Sequence, residues 1–223
     1  MDNRFTIQFI AQEQGQLLRE AIAKYGISKR ALTAIKFNGG EIAVNGVKQN
    51  VRYVLQLGDT VTIKFPLEQA SDGLIPEQGT LKIVYEDEYV LIIDKPPYMS
   101  TIPSREHPKG SVANIVLHHL QQQSVGSTVH VVTRLDRDTS GLMCIAKHRH
   151  IHHLMSEQQK SGLVSREYEA IVYGSVKSQS IIAPIGRKET SIIEREVRDD
   201  GQFAHTDVTL LKVLHNMEAS LSH

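Results

Sequence analysis

Apolar residues in this chain come in short runs, and the strand-like runs outnumber the helical ones without alternating regularly with them. No unbroken apolar run is longer than Tyr89 to Ile93, which is far short of the ~20 residues that a bilayer-spanning helix needs. Strands that do not alternate with helices cannot build a doubly wound parallel sheet. The expected fold class is therefore α+β, with a mixed, mainly antiparallel sheet and flanking helices. Hydrophobic residues at 40% and charged residues at 22% exclude disordered, collagen-like and coiled-coil chains. With 5% aromatic residues and no Trp, the core must be aliphatic and few rings remain for bases to stack on. A length of 223 residues suits one large domain or two modest ones.

Residues 1–66 read as a compact unit of two short helices followed by strands. Leu17, Leu18, Ala21 and Ile22 fall at helical spacing, and Tyr25-Gly26 closes that helix. Ser28 stands where an N-cap belongs, ahead of a second helix over about Lys29–Phe37 that Gly39-Gly40 ends. Ile42-Ala43-Val44, Asn45-Gly46 and Val47 spell a hairpin, because Asn and Gly accept the positive φ angles of a two-residue turn. Gly58-Asp59 then turns the chain into the alternating run Thr60–Phe65. Residues 67–79 have no apolar period and carry Gly, Pro and three acids, so they read as a linker.

Residues 80–223 open on strand-like runs at Leu81–Tyr85 and Tyr89–Ile93. A loop carrying Pro96, Pro97, Pro103 and Pro108 leads to a helix over Ser111–Gln122. Strands at Val131-Val132 and Leu142–Ala146, a helix at His150–Gln159, and strands near Tyr168–Tyr173, Ile192–Val197 and Thr206–Val213 follow. Cys144 is single, so it cannot form an internal disulfide, and its setting Leu-Met-Cys-Ile-Ala marks a small buried hydrophobe. The first residues contain no apolar signal segment, and a cytoplasmic protein with no membrane partner is expected.

Lys plus Arg and Asp plus Glu balance at 25 each, which alone predicts no general polyanion binder. The charge is unevenly placed, however. Residues 1–66 hold nine basic and five acidic side chains, and Lys29, Arg30 and Lys36 gather on or beside the second helix. Such a helix is either an electrostatic footprint for phosphate or simply a solvated face. The densest polar cluster is Arg134-Leu135-Asp136-Arg137-Asp138-Thr139-Ser140-Gly141, between two apolar strands. Guanidinium groups on both sides of Asp136 favour its ionised form, and a carboxylate on a rigid turn can act as nucleophile or general base. The plain alternative is a salt-bridged turn. His148 and His152, four apart, have a metal-ligand spacing. No Glu stands between them in the zincin manner, so no metal is expected; with His150 and His153 they read as a solvated or RNA-facing helix surface.

Two resemblances extend this reading. Over about residues 13–65, the order helix, Ser28-Lys29-Arg30 helix, Gly39-Gly40, strand, Val44-Asn45-Gly46 hairpin and Leu57-Gly58-Asp59 strand resembles the S4-like RNA-binding domain. There the second helix and neighbouring turn contact structured RNA, which would make Lys29, Arg30 and Lys36 RNA-binding residues. The segment Thr133-Arg134-Leu135-Asp136-Arg137-Asp138-Thr139-Ser140-Gly141-Leu142 is similar to the His-Arg-Leu-Asp-Arg-Asp-Thr-Ser-Gly-Leu of the ribosomal large-subunit (Rlu-type) pseudouridine synthases. Ile93-Asp94-Lys95-Pro96-Pro97, Arg166-Glu167-Tyr168-Glu169-Ala170 and Ala183-Pro184-Ile185-Gly186-Arg187 resemble further segments of that family, over about residues 81–213.

This second resemblance implies an isomerase that converts uridine in RNA to pseudouridine without a cofactor. Asp136 would be the essential carboxylate, adding either to the ribose anomeric carbon or to the uracil ring. The uridine must leave its stack to reach it. Arg134 would enter the vacated space, Tyr168 would lie against the base, and Lys95 and Arg137 would be supports or phosphate contacts. The implied partner is RNA, ribosomal first and transfer RNA as the alternative, and a monomer is expected. Thr133 stands where the family has His, a change expected to be tolerated because Thr still offers a hydroxyl. The family's Gly-Arg-Thr-His-Gln-Ile-Arg motif, whose first Arg pairs with the catalytic carboxylate, does not occur in His215–His223. A C-terminally incomplete catalytic domain over 80–223 is therefore expected, and the alternative function is a catalytically silent RNA-binding protein.

Overall fold

Every ladder that the short alternating runs form is antiparallel among the described residues, and four helices accompany them, giving a mixed α+β fold. The computed structural model describes residues 2–123, 126–174, 176–191 and 194–214. The chain divides into two compact units, Met1–Ser165 and Arg166–His223, so that residues 66 and 67, where a boundary is expected, both lie in the first unit.

The first unit contains two four-stranded sheets, each with its own apolar core. One sheet runs β1 (Thr6–Ile10), β4 (Thr60–Lys64), β2 (Glu41–Val44), β3 (Val47–Lys48). Val61 and Ile63 of β4 point inward, against Leu18, Ala21 and Ile22 of α1 (Leu18–Lys24) and Ile35 of α2 (Lys29–Phe37). Ser28 caps α2, its hydroxyl accepting the Ala31 amide at 3.1 Å. Gly40 must be glycine, since a Cβ there would lie 2.6 Å from the Ile35 carbonyl oxygen and 2.8 Å from that of Lys64. The hairpin turn forms at Asn45 and Gly46, both at positive φ. The Asn45 side chain ties it to the next strand by donating to Asp59 at 2.7 Å and accepting the Thr60 amide at 2.9 Å. Strand β1 precedes the two helices, where no strand is expected. It pairs with β4 at the sheet edge and buries only Phe9, although Phe5-Thr6-Ile7-Gln8-Phe9 alternates as a strand does.

The second sheet runs β5 (Lys82–Glu86), β6 (Val90–Lys95), β8 (Gly141–Ala146), β7 (His130–Val131). Leu91, Ile93, Met143 and Ile145 pack on Val112, Val116 and Leu120 of α3 (Val112–Gln122). Ser111 and Asn114 close a capping box at the start of α3. Cys144, expected to be buried with its neighbours, lies on the opposite face of β8 from Met143 and Ile145 and is half-buried. Residues 67–79 form no element but are anchored: Glu68 is bonded to His130, Ser127 and the Arg149 amide, and Glu77 accepts the Gly110 amide.

At helix α4 (Arg149–Lys160) the reading of the histidines as a solvated or RNA-facing surface fails for His148 and His150, while His152 and His153 are half-buried. His148, its N-cap, and His150 are 4% and 3% exposed. Their rings lie against Phe5 and Phe65, at centroid distances of 4.5 Å for His148–Phe5 and 5.2 Å for His150–Phe65. Both rings stack there on phenylalanine, while His148 Nδ1 accepts the His150 amide at 3.1 Å and its Nε2 lies 3.3 Å from Glu68.

In the second unit, β9 (Gln179–Ile182) pairs with β12 (His205–Val208), and β10 (Ile185–Arg187) with β11 (Arg195–Val197). The strand expected at Tyr168–Tyr173 is not formed. Its residues are all exposed, with no ladder partner among the described residues, and alternation cannot hold a strand that has nothing to pair with. The strand expected to reach Val213 ends at Val208. Ile192 and Ile193 of an expected strand, and His215–His223, lie outside the described residues. No helix among the described residues is long and apolar enough to cross a membrane.

Candidate active site

The polar cluster around Asp136 forms the connection between β7 and β8. It leaves β7 held by paired bonds to Cys144, whose carbonyl accepts the Val132 amide at 2.9 Å and whose amide donates to the Thr133 hydroxyl at 2.9 Å. The Thr133 hydroxyl thus has a definite partner. Leu135 turns inward onto the core of the second sheet, which forces its neighbours outward, and Arg134, Asp136, Arg137 and Asp138 are all exposed.

Three successive carbonyls in this connection are hydrogen-bonded. Leu135 O accepts the Thr101 hydroxyl at 2.6 Å, Asp136 O accepts the Thr139 amide at 3.2 Å, and Arg137 O accepts the Lys95 ammonium at 3.0 Å. An exposed carboxylate is therefore carried on a backbone pinned from beneath.

Lys95 requires a correction as an RNA-binding residue. It is 0% exposed, and its ammonium donates to Pro96 O at 2.9 Å and Met99 O at 2.8 Å as well as to Arg137 O. Three protons meet three carbonyls, so none is left for a phosphate. Burial pulls its pKa below the usual lysine value, while the Asp138 and Asp136 carboxylates favour the charged form. The ammonium is a positive charge beneath the loop that carries Asp136.

The guanidinium groups do not flank Asp136 as ion-pair partners: among the described residues neither Arg134 nor Arg137 pairs with it. Arg137 donates instead to Tyr98 O at 3.4 Å, and Tyr98 itself takes a left-handed φ of 65°. Tyr168 belongs to the second unit and is 63% exposed. Lys29, Arg30 and Lys36 are exposed on α2, with the Lys36 ammonium 4.9 Å from the centroid of the exposed Phe37 ring. Among the described residues no group of three His, Cys, Asp or Glu is arranged to hold a metal. Thr101 and Tyr98 carry no sequence signal, because they sit in a proline-punctuated loop without periodicity.

Residues 89–221, more than half of the chain, match the RNA pseudouridylate synthase family. The chain belongs to this family. Its relatives include an uncharacterized RNA pseudouridine synthase, YjbO, of Bacillus subtilis, 53% identical over 191 residues that cover 85% of this chain and 68% of that protein. A second from the same organism, YhcT, is 34% identical over 198 residues, covering 85% of this chain and 64% of that protein. The ribosomal large subunit pseudouridine synthase D of Pseudomonas aeruginosa is 34% identical over 174 residues, covering 78% of this chain and 54% of that protein. The chain thus spans roughly half to two-thirds of the length of these synthases. Both the Asp136 connection and Lys95 lie within the matched family region.

Proposed function

We propose that this chain acts as an RNA pseudouridine synthase, with Asp136 as its essential carboxylate. The observation that carries this reading is an exposed carboxylate on a connection whose carbonyls at 135, 136 and 137 are each fixed by a hydrogen bond. Fixing a reactive group's backbone while leaving its side chain free to meet substrate is what preorganised catalysis requires.

In the proposed reaction the Asp136 carboxylate adds to either the anomeric carbon of the ribose or the uracil ring, and that bond breaks again before product leaves, returning the carboxylate. The bond from N1 of uracil to the ribose breaks, the base turns, C5 bonds to the ribose, and the C5 proton is lost while N1 gains one. The target must flip out of its stack. Arg134, exposed one residue ahead of the inward-facing Leu135, would fill the vacated place, and Tyr168 would lie against the base. The region 1–66 is read as an S4-like recruiting domain with Lys29, Arg30 and Lys36 facing RNA. The placement of two of them supports this: Lys29 and Arg30 sit in the first turn of α2, which has no acid, where the helix dipole disfavours cations by ~0.3–1 kcal/mol each, whereas Lys36 sits in the last turn, where a cation is favoured. Ribosomal RNA is the first candidate substrate, because one relative is named for the large ribosomal subunit, and transfer RNA is the second.

The test is release of tritium from RNA labelled at C5 of uridine, using ribosomal and transfer RNA in parallel. Turnover on either supports the reading. RNA binding without release on both would favour the silent RNA-binding protein.

A further inference from the structure

We propose that Thr101 is a positioning residue, setting the orientation of the Asp136 carboxylate through the peptide plane that joins Leu135 to Asp136. This rests on the reading of Asp136 as the essential carboxylate.

Thr101 is 4% exposed, and its hydroxyl lies 2.6 Å from Leu135 O and 3.8 Å from the Met143 sulfur. A hydroxyl has one proton, and the shorter contact with the stronger acceptor takes it. The Leu135 carbonyl and the Asp136 amide belong to one rigid plane. A donor fixed on that carbonyl restrains this plane, and the Thr139 amide, bonded to Asp136 O at 3.2 Å, restrains the plane on the other side, so that the two planes jointly set φ and ψ of Asp136. Together the two bonds set the direction in which the Asp136 side chain leaves the backbone. The second bond is made within the turn. The first comes from outside it and gives the turn an external reference.

Thr101 can supply that reference because it is itself anchored. The Ala113 amide donates to Thr101 O at 3.1 Å and the Val112 amide to Ser100 O at 2.9 Å. Both amides lie in the first turn of α3, where N–H groups have no partner within the helix. A rigid path runs from the core helix, through Thr101, to the plane that carries Asp136. Threonine suits the place: its hydroxyl makes the bond, and no charge has to be buried.

The experiment compares Thr101→Val, which keeps the shape and removes the donor, with Thr101→Ser, which keeps the donor. Tritium release under saturating RNA gives kcat, its concentration dependence gives KM, and thermal melting reports stability. Thr101→Val should lose about 10- to 100-fold in kcat with KM unchanged within about twofold, since misplacing a reacting group slows the step without weakening binding. Thr101→Ser should stay close to wild type. If Thr101→Val melts below the assay temperature, Thr101→Cys, of similar size but a weak donor, takes its place with the same expected loss. Wild-type kcat in the variant lacking the donor, a loss confined to KM, or failure of serine to restore kcat would overturn the proposal. Asp136→Ala is measured alongside: turnover there removes the reading on which the proposal rests, whereas a silent Asp136→Ala beside a fully active Thr101→Val removes only the role of Thr101.

Discussion

Lys95 shows how a single residue can be placed by arithmetic. In β6, Leu91 and Ile93 face the core, and two more residues along the strand the same side is occupied by Lys95. That parity is written in the sequence, and it favours the support role over a phosphate contact. What the sequence does not show is where the three protons go, because Pro96 O, Met99 O and Arg137 O are brought together by loops. Replacing Lys95 by Met should leave these carbonyls unpaired and lower the unfolding free energy by about 1–3 kcal/mol, measured by urea denaturation. Because the variant also frees Arg137 O, kcat should fall even under conditions where the protein remains folded. Asp136 was legible only through resemblance: its composition fits a salt-bridged turn equally well, and the structure removes that reading by placing no ion-pair partner beside it among the described residues.

At the scale of elements, the segments with a strong period or a capping residue were the ones the sequence made plain. Helix α2 begins at Lys29 after Ser28 and ends at Phe37, as its cap and Gly39-Gly40 require. Strand β4 alternates as expected, with Val61 and Ile63 buried. Strand β1 does alternate, through Phe5-Thr6-Ile7-Gln8-Phe9, whereas β9 and β10 were not legible. Among these three only Phe9 of β1 is buried, and such strands are fixed by their partners rather than by their own composition. Ser28→Ala should destabilise α2 by about 1 kcal/mol, read as a shift in the denaturation midpoint. The triple variant Lys29→Ala, Arg30→Ala, Lys36→Ala should raise the melting temperature slightly, because two cations leave the N-terminus of α2 and one leaves its C-terminus, while weakening RNA binding. It should also flatten the dependence of log K on log salt by a little under one unit for each lost phosphate contact. An unchanged slope would mean that α2 is only a solvated face.

Within the first unit as a whole, the apolar core around β4 and the elements around α4 meet through Phe5, Phe65, His148 and His150. Burial pushes both histidines down to about 4, with Arg149, His130 and His153 acting in the same direction and Glu68 opposing at His148. The unfolded chain takes up protons on them near their ordinary value of 6.5, and the folded protein does not until about pH 4. Stability should therefore fall as pH drops from about 6.5 to about 4, by on the order of 3 kcal/mol for each histidine. Melting temperatures across that range would show it, and His150→Phe should shallow the decline. Burial opposes ionisation of Glu68, but the hydrogen bond from His130 and the charges of His148 and His130 bring it down to about 2, so a second loss follows below pH 4.5. None of this was legible from the histidines' spacing, because their burial depends on Phe5 and Phe65 arriving from a distant part of the chain.

The claim on which the account turns is that Asp136 does the chemistry, and it is tested most directly by single-turnover tritium release from C5-labelled RNA with wild type and Asp136→Ala at matched RNA occupancy. The account predicts release by the wild type and none above background from the variant, with RNA affinity equal within about twofold because an exposed carboxylate contributes little to holding a polyanion. Release from Asp136→Ala at a rate near that of the wild type would contradict it.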